Sequence, residues 1–172
     1  MKSIAIIAEF NPFHTGHAHL ISQVRQAAGP DAAIVIIMSG AFVQRGEPAF
    51  FDKWHRAVGA IKGGADVVIE LPAVYALSSA AGFATGGVTL ASRLGCQGLA
   101  CGVENGTAED FLALARCAHS LPDREKEGPK ETAGREQTEY LLAASPKKGR
   151  LLEQPNALLA FEYAKALLNQ DR

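Results

Sequence analysis

Apolar residues fall in short, unbroken runs along the chain, each followed by a stretch in which they recur every three or four positions. Residues 2 to 8 read as a β-strand, and 18 to 28 carry helical spacing through Leu20, Ile21, Val24 and Ala27 before the stop at Gly29-Pro30. Ala33 to Met38 predicts a second strand. Asp52 is placed to cap a helix carrying Trp54, Ala57, Val58 and Ile61 as far as Gly63-Gly64. The alternation repeats with a strand at 66 to 71, a helix at 78 to 93, a strand at 98 to 101 and a helix at 107 to 119. Strands that are apolar throughout must be covered on both faces, and a helix after each implies right-handed crossovers. The expected fold is therefore α/β, a Rossmann-like open parallel sheet with helices on both faces.

The last fifty residues break this rhythm. Between Pro122 and Glu136 no aliphatic side chain exceeds alanine and charges are dense, which reads as an exposed linker or loop. Helical spacing returns from Asn156 to Leu168 through Leu158, Leu159, Phe161, Tyr163 and Leu167. The expected division is a core at 1–120, a charged linker at 121–137 and a helical extension at 138–172.

Charge narrows the function classes. Seventeen Lys and Arg against eighteen Asp and Glu give a net charge of −1, so nothing in bulk composition argues for a protein that coats nucleic acid or membrane. Lys147, Lys148 and Arg150 form the one dense basic cluster that can meet an RNA backbone. Cys96, Cys101 and Cys117 are an odd number without a C-x-x-C pair, which fits a reducing cytoplasm. Leu71 to Ser92 is uncharged and includes the G-x-x-x-G spacing Gly82 to Gly86. Its many small residues and Pro72 favour a helix packed on a sheet over a membrane span.

Candidate chemistry concentrates after the first strand, where Glu9-Phe10-Asn11-Pro12-Phe13-His14-Thr15-Gly16-His17 sets two histidines three apart at the start of a helix. Unpaired N–H groups and the helix dipole attract anions there, and Gly16 permits close approach of a phosphate. His14 and His17 can then donate to phosphate oxygens as charge builds during transfer. Two other readings compete: a zinc site extended by His19, and histidines that only cap the helix. Arg45 can grip an anion from a loop, and Lys53 with Arg56, three apart, can share a helix face. Solvated roles for all three compete with that reading. Trp54 reads as core rather than as a base-stacking platform. Glu9 and Glu70, at strand ends, can orient ligands or simply hydrogen-bond.

The order Ala8-x-Phe10-x-Pro12-x-His14-x-Gly16-His17 resembles the H-x-G-H signature of the nucleotidyltransferase superfamily related to class I aminoacyl-tRNA synthetases, with alanine at the usual first glycine. A narrower resemblance spans most of the chain. Met38-Ser39-Gly40-x-Phe42-Val43-Gln44-Arg45-Gly46-Glu47-Pro48, Asp52-Lys53-Trp54-x-Arg56, Gly64-Ala65-Asp66-x-Val68-Ile69-Glu70-Leu71-Pro72 and Asn156-x-Leu158-x-x-x-Glu162-Tyr163 look like the tRNA(Met) cytidine acetate ligase family.

That resemblance implies ATP-dependent activation of acetate to acetyl-adenylate, with Mg2+ for the triphosphate, and N4-acetylation of the wobble cytidine of elongator tRNA(Met). It implies His14 and His17 as catalytic residues. The ATP segment would be Ile7-Ala8-Glu9-Phe10-Asn11-Pro12-Phe13-His14-Thr15-Gly16-His17-Ala18-His19-Leu20, joined by Gly102 and Asn156, with no metal ligand from protein side chains. Arg45, Lys53 and Arg56 are the further phosphate or substrate candidates. Family members continue well beyond residue 172 with a basic ATP motif and a tRNA-binding region, so a truncated form with weak tRNA binding is expected. The alternatives are a nucleotidyltransferase for a small metabolite and a nucleotide-binding module without turnover.

Overall fold

In the computed structural model, residues 2–44, 46–120 and 150–170 are described, the side chains of Arg150, Glu153 and Pro155 excepted. The elements are β1 (Ser3–Ala8), α1 (Thr15–Ala28), β2 (Ala33–Ser39), α2 (Lys53–Lys62), β3 (Val67–Leu71), α3 (Ala73–Ala76), α4 (Ala80–Arg93), β4 (Gly98–Ala100), α5 (Ala108–His119), a 3-10 turn (Arg150–Glu153) and α6 (Pro155–Gln170). They divide into two compact units, 1–102 and 103–172.

The first unit is built on a four-stranded sheet in the order β3-β2-β1-β4, every pair parallel. Ile6 is in register with Ile36 on one side and Ala100 on the other. Successive side chains of a strand point to opposite faces. Ile4, Ile6, Ile34 and Ile36 thus meet Ile21 and Val24 of α1 and Ala60 of α2 on one face. The opposite face of β1 carries Ile7 against α4. There a Cβ at Gly87 would sit 2.5 Å from Ile7 Cδ1, so the helix can approach the strand this closely only with glycine. Ile6, Ile34, Ile36 and Ile37 are almost fully enclosed, each contributing about 1.5–3 kcal/mol of hydrophobic stabilisation.

The uncharged stretch from Leu71 to Ser92 is split between the end of β3, the single turn α3 and most of α4. Among the described residues, no helix is long and apolar enough to cross a membrane. The Gly-rich helix packs on the sheet, as its small residues predict.

In the second unit α5 turns Phe111, Leu114, Ala115 and Ala118 against Leu152, Ala157, Ala160, Phe161 and Ala164 of the 3-10 turn and α6. The expected boundary at residue 120 grouped α5 with the sheet, whereas its apolar face is matched to α6. Residues 121–137, and the basic pair Lys147 and Lys148, lie outside the described residues.

Trp54 reverses its expectation. It is 72% exposed, because α2 packs through its small side, with Ala60 and Arg56 buried and Phe13 lying against Gly59 and Gly63.

Candidate active site at the first strand-to-helix turn

The site is assembled at the carboxyl ends of the parallel strands. β1 sits between β2 and β4, and the chain leaves toward β2 first and reaches β4 last, so strand order reverses between β1 and β4. Open parallel sheets bind ligands at such a reversal. Gly102 follows β4, and the position of a Cβ there is 3.9 Å from Leu20 Cδ2 of α1, which places the glycine beside the helix that carries the histidines.

The turn after β1 is held from beneath. Phe10 takes φ +50°, a left-handed conformation that costs a non-glycine residue on the order of 1–3 kcal/mol. Its ring is 2% exposed and packs edge-on to Phe13 at 5.0 Å and tilted to His17 at 4.7 Å, which offsets that cost and fixes the turn.

His14 is the N-cap of α1. Its Nδ1 accepts from the N–H of Gly16 at 3.1 Å, while Nδ1 of His17 accepts from the N–H of His14 at 3.2 Å, a capping box written in imidazoles. Gly16 serves this geometry, since a Cβ there would crowd His14 Cε1 at 3.0 Å. With each Nδ1 occupied as an acceptor, the proton of a neutral ring resides on Nε2. The rings stack at 3.6 Å between centroids. Burial, and secondarily the charge of His14, lower the pKa of His17 to about 4, so at neutral pH it is an uncharged Nε2–H donor. The first turn of α1 carries no acidic residue to repel an anion.

His19 is exposed and stands two residues from His17, a helical spacing that points the rings apart. Among the described residues no group of three His, Cys, Asp or Glu is arranged to hold a metal ion.

Two of the basic candidates, Arg56 and Lys53, are engaged within the protein. Arg56 is buried, and its guanidinium donates to four backbone carbonyls: Nε to Phe51 at 3.0 Å, Nη1 to Glu9 at 2.5 Å and to Ser39 at 3.1 Å, and Nη2 to Gly40. Burial lowers its pKa, with Glu9, Asp52 and Glu70 opposing, and a guanidinium stays charged regardless. The expected phosphate ligand is instead a staple joining the ends of β1 and β2, with four of its five N–H donors already used. Lys53 is paired with Glu70 at 2.6 Å, so it does not share a free basic face with Arg56. Arg45 lies outside the described residues. Asn156, near the start of α6, donates its side-chain amide to Glu104 Oε1 at 2.8 Å within the second unit.

Two further residues organise the site. Glu9 Oε1 accepts from the N–H of Gln44 at 2.6 Å, and Asn11 Oδ1 accepts from the N–H of Phe50 at 2.6 Å. They tie the loop after β2 to the turn after β1. That loop closes on itself through Ala49 N–H to Ala41 O at 2.9 Å and Val43 N–H to Glu47 O at 3.0 Å. No periodicity announces such anchors; the signal in the sequence is the place of Glu9 at a strand end, which allows it to orient ligands or simply to hydrogen-bond.

An all-parallel sheet with a histidine pair capping the helix after its first strand is the arrangement of a nucleotidyl transferase, and a family model described as "HIGH Nucleotidyl Transferase" matches residues 1–172. The chain belongs to that family. More narrowly, it is 43% identical over 172 residues to the tRNA(Met) cytidine acetate ligase of Leuconostoc citreum, covering 98% of this chain and 42% of that protein. The protein of the same name from Syntrophotalea carbinolica is 42% identical over 178 residues, covering 97% of this chain and 42% of the relative. The crystal structure of Thermotoga maritima TmcAL bound with alpha-thio ATP superposes with a TM-score of 0.86 at 32% identity, covering 99% of this chain and 44% of that one. Its apo form gives the same score. The chain thus spans less than half the length of the curated relatives it matches.

Proposed function

We propose that this chain carries the adenylating part of an ATP-dependent acetate ligase that serves N4-acetylation of the wobble cytidine of elongator tRNA(Met), working in the cytoplasm. The observation that carries the reading is the imidazole capping box, which leaves two Nε2 positions free at an acid-free helix N-terminus beside the β1–β4 reversal.

In this reading ATP lies along Ile7 to Leu20 and Gly102, and Asn156 is assigned to ATP from its matching segment alone. An acetate oxygen attacks the α-phosphorus, the bond to the bridging oxygen breaks, and pyrophosphate leaves with the electron pair. His14 and His17 donate through Nε2 to the phosphate oxygens on which charge accumulates, and being fixed by the backbone they need no reorganisation as it develops. Mg2+, if bound, would come with the triphosphate and neutralise its charge, since the described side chains offer no group of three His, Cys, Asp or Glu to hold a metal ion by themselves. The acetyl-adenylate would then be attacked by the cytidine N4 amine, releasing AMP.

ATP–pyrophosphate exchange tests this directly. Exchange is expected with acetate and Mg2+, less with longer carboxylates, and none with phosphorylated metabolites. Exchange driven by a phosphorylated metabolite would assign a different transferase, and ATP binding without exchange would assign a binding module. Treatment with a strong chelator is expected to leave the fold intact and stop exchange until Mg2+ is restored.

A further inference from the structure

We propose that Glu9 and Asn11 are positioning residues of the adenylating step: their side-chain oxygens clamp the turn after β1 to the loop after β2, and the clamp holds His17 where it can donate. The proposal deepens the acetate ligase reading and rests on it for the role of His14 and His17.

The turn between β1 and α1 has a strained centre. Phe10 sits at φ +50°, and a non-glycine residue keeps such a conformation only where its surroundings over-determine it. The residues on either side of Phe10 supply that constraint. Glu9 Oε1 accepts from the N–H of Gln44 and Asn11 Oδ1 from the N–H of Phe50, each at 2.6 Å and across 35 and 39 residues of chain. The Glu9 carbonyl is held in addition by Arg56.

The other half of the clamp is itself closed. Ala49 donates to Ala41, Val43 donates to Glu47, a bridge joins Phe42 to Pro48, and Val43 is buried. One donor, on Gln44, lies near the tip of this loop and the other, on Phe50, just past its base. Two bonds so far apart fix the turn against both sliding and rotation.

The clamp secures the seat of a histidine. The Phe10 ring lies 4.7 Å from the ring of His17, which stacks on His14 at 3.6 Å. A Phe10 released to negative φ would carry its ring from beneath His17, and Nε2 would lose its direction. A misplacement of about 1 Å at a reacting centre can cost on the order of a hundredfold in rate. Neither anchor needs charge for this task, because an N–H asks only for an acceptor oxygen.

Glu9→Ala, Asn11→Ala and Glu9→Gln test the clamp in the whole chain, by acetate-dependent ATP–pyrophosphate exchange and by NMR titration of His17. Glu9 is half-buried and Asn11 exposed, so neither alanine opens the core, and each variant carries the test independently of the other. Both should lower kcat about tenfold with KM for ATP changed less than about twofold, since the loss falls on donors that act in the transition state. Without ligand, the pKa of His17 should rise from about 4 by about one unit as the ring leaves its buried seat. Loss of a carboxylate alone would lower it, so a rise in Glu9→Ala reports the seat and not the charge. Glu9→Gln keeps an oxygen for Gln44 and should restore most of kcat and the low pKa.

Three results would overturn the proposal. Glu9→Gln as slow as Glu9→Ala would mean that the carboxylate charge acts on the reaction itself. A raised KM for ATP with kcat unchanged would put both side chains on the nucleotide. A lowered urea midpoint with kcat and the His17 pKa unchanged would leave them as ties of the fold alone. The titration needs no substrate: if the wild-type chain shows no exchange with acetate, the ligase reading falls and the His17 shift still decides the clamp.

Discussion

α1 and α2 begin in equivalent places, each above the carboxyl end of one of two adjacent parallel strands, yet their caps differ in chemistry. At α1 the cap is His14, an imidazole that accepts from the backbone through one nitrogen and keeps the other for a partner. At α2 the cap is Asp52, whose Oδ1 accepts from the N–H of His55 at 2.9 Å and whose Oδ2 pairs with His55 Nδ1 at 2.7 Å. A carboxylate already satisfies that dipole and would repel a second anion. Topology therefore nominates both helix ends, and the chemistry of the cap selects between them.

The comparison breaks most violently at Arg56, which holds the backbone of both turns. Arg56→Met leaves four carbonyls short of a donor and is expected to cost about 3–5 kcal/mol, read as a lowered urea midpoint. Arg56→Lys should recover only a fraction, because an ammonium cannot reach four divergent acceptors. A midpoint within error of the wild type would deny the staple.

His14→Ala and His17→Ala sharpen the contrast. Each should lower acetate-dependent exchange on the order of a hundredfold while ATP affinity falls far less, since donors aimed at developing charge act chiefly in the transition state. Loss of the His14 cap should also cost about 1 kcal/mol of stability. Equal loss of exchange in Asp52→Ala would erase the distinction between the two helix ends.

A smaller effect concerns acid. His17 has a folded pKa near 4 against about 6.5 in the unfolded chain, so between those values the unfolded state binds more protons. Stability from this residue is complete above about pH 6.5 and declines as pH falls toward 4. Urea midpoints across that window should therefore fall less steeply in His17→Gln than in the wild type.

Asp52→Asn should have the least effect. Asparagine caps as well as aspartate, so the midpoint at neutral pH should hardly move. The bonds from His55 hold the Asp52 carboxyl below the usual carboxylate range, so its charge-linked stability is present above about pH 4 and lost as pH falls through the folded value. That acid-linked loss should be absent from the variant.

Much of this was legible in the residues. Unbroken apolar runs announced parallel strands, and the three-residue spacing of His14 and His17 marked the turn that the structure builds as a capping box. The rest depended on partners distant in sequence. An arginine three residues after a lysine reads as a solvated face, and nothing local shows that the carbonyls of residues 9, 39, 40 and 51 converge on it. Helical periodicity likewise gives α2 two faces without saying which is covered; glycines and alanines let the small face pack, and Trp54 was left outside. The division after residue 102 differs from the boundary expected at residue 120 for a related reason, because α5 has an apolar face that suits either a sheet or a helix, and α6 packs against it.

The orientation of the His17 ring also has a thermodynamic consequence. A histidine that met phosphate as a cation would take up a proton on binding, and the measured heat would then include the ionisation enthalpy of whichever buffer supplied it. His17 is held as an Nε2–H donor with its pKa lowered to about 4, so under the proposed function it would meet a triphosphate as a neutral donor at pH 7. The binding heat should then be the same in phosphate as in Tris, and a difference between the two buffers would show that the bound anion draws a proton onto the ring.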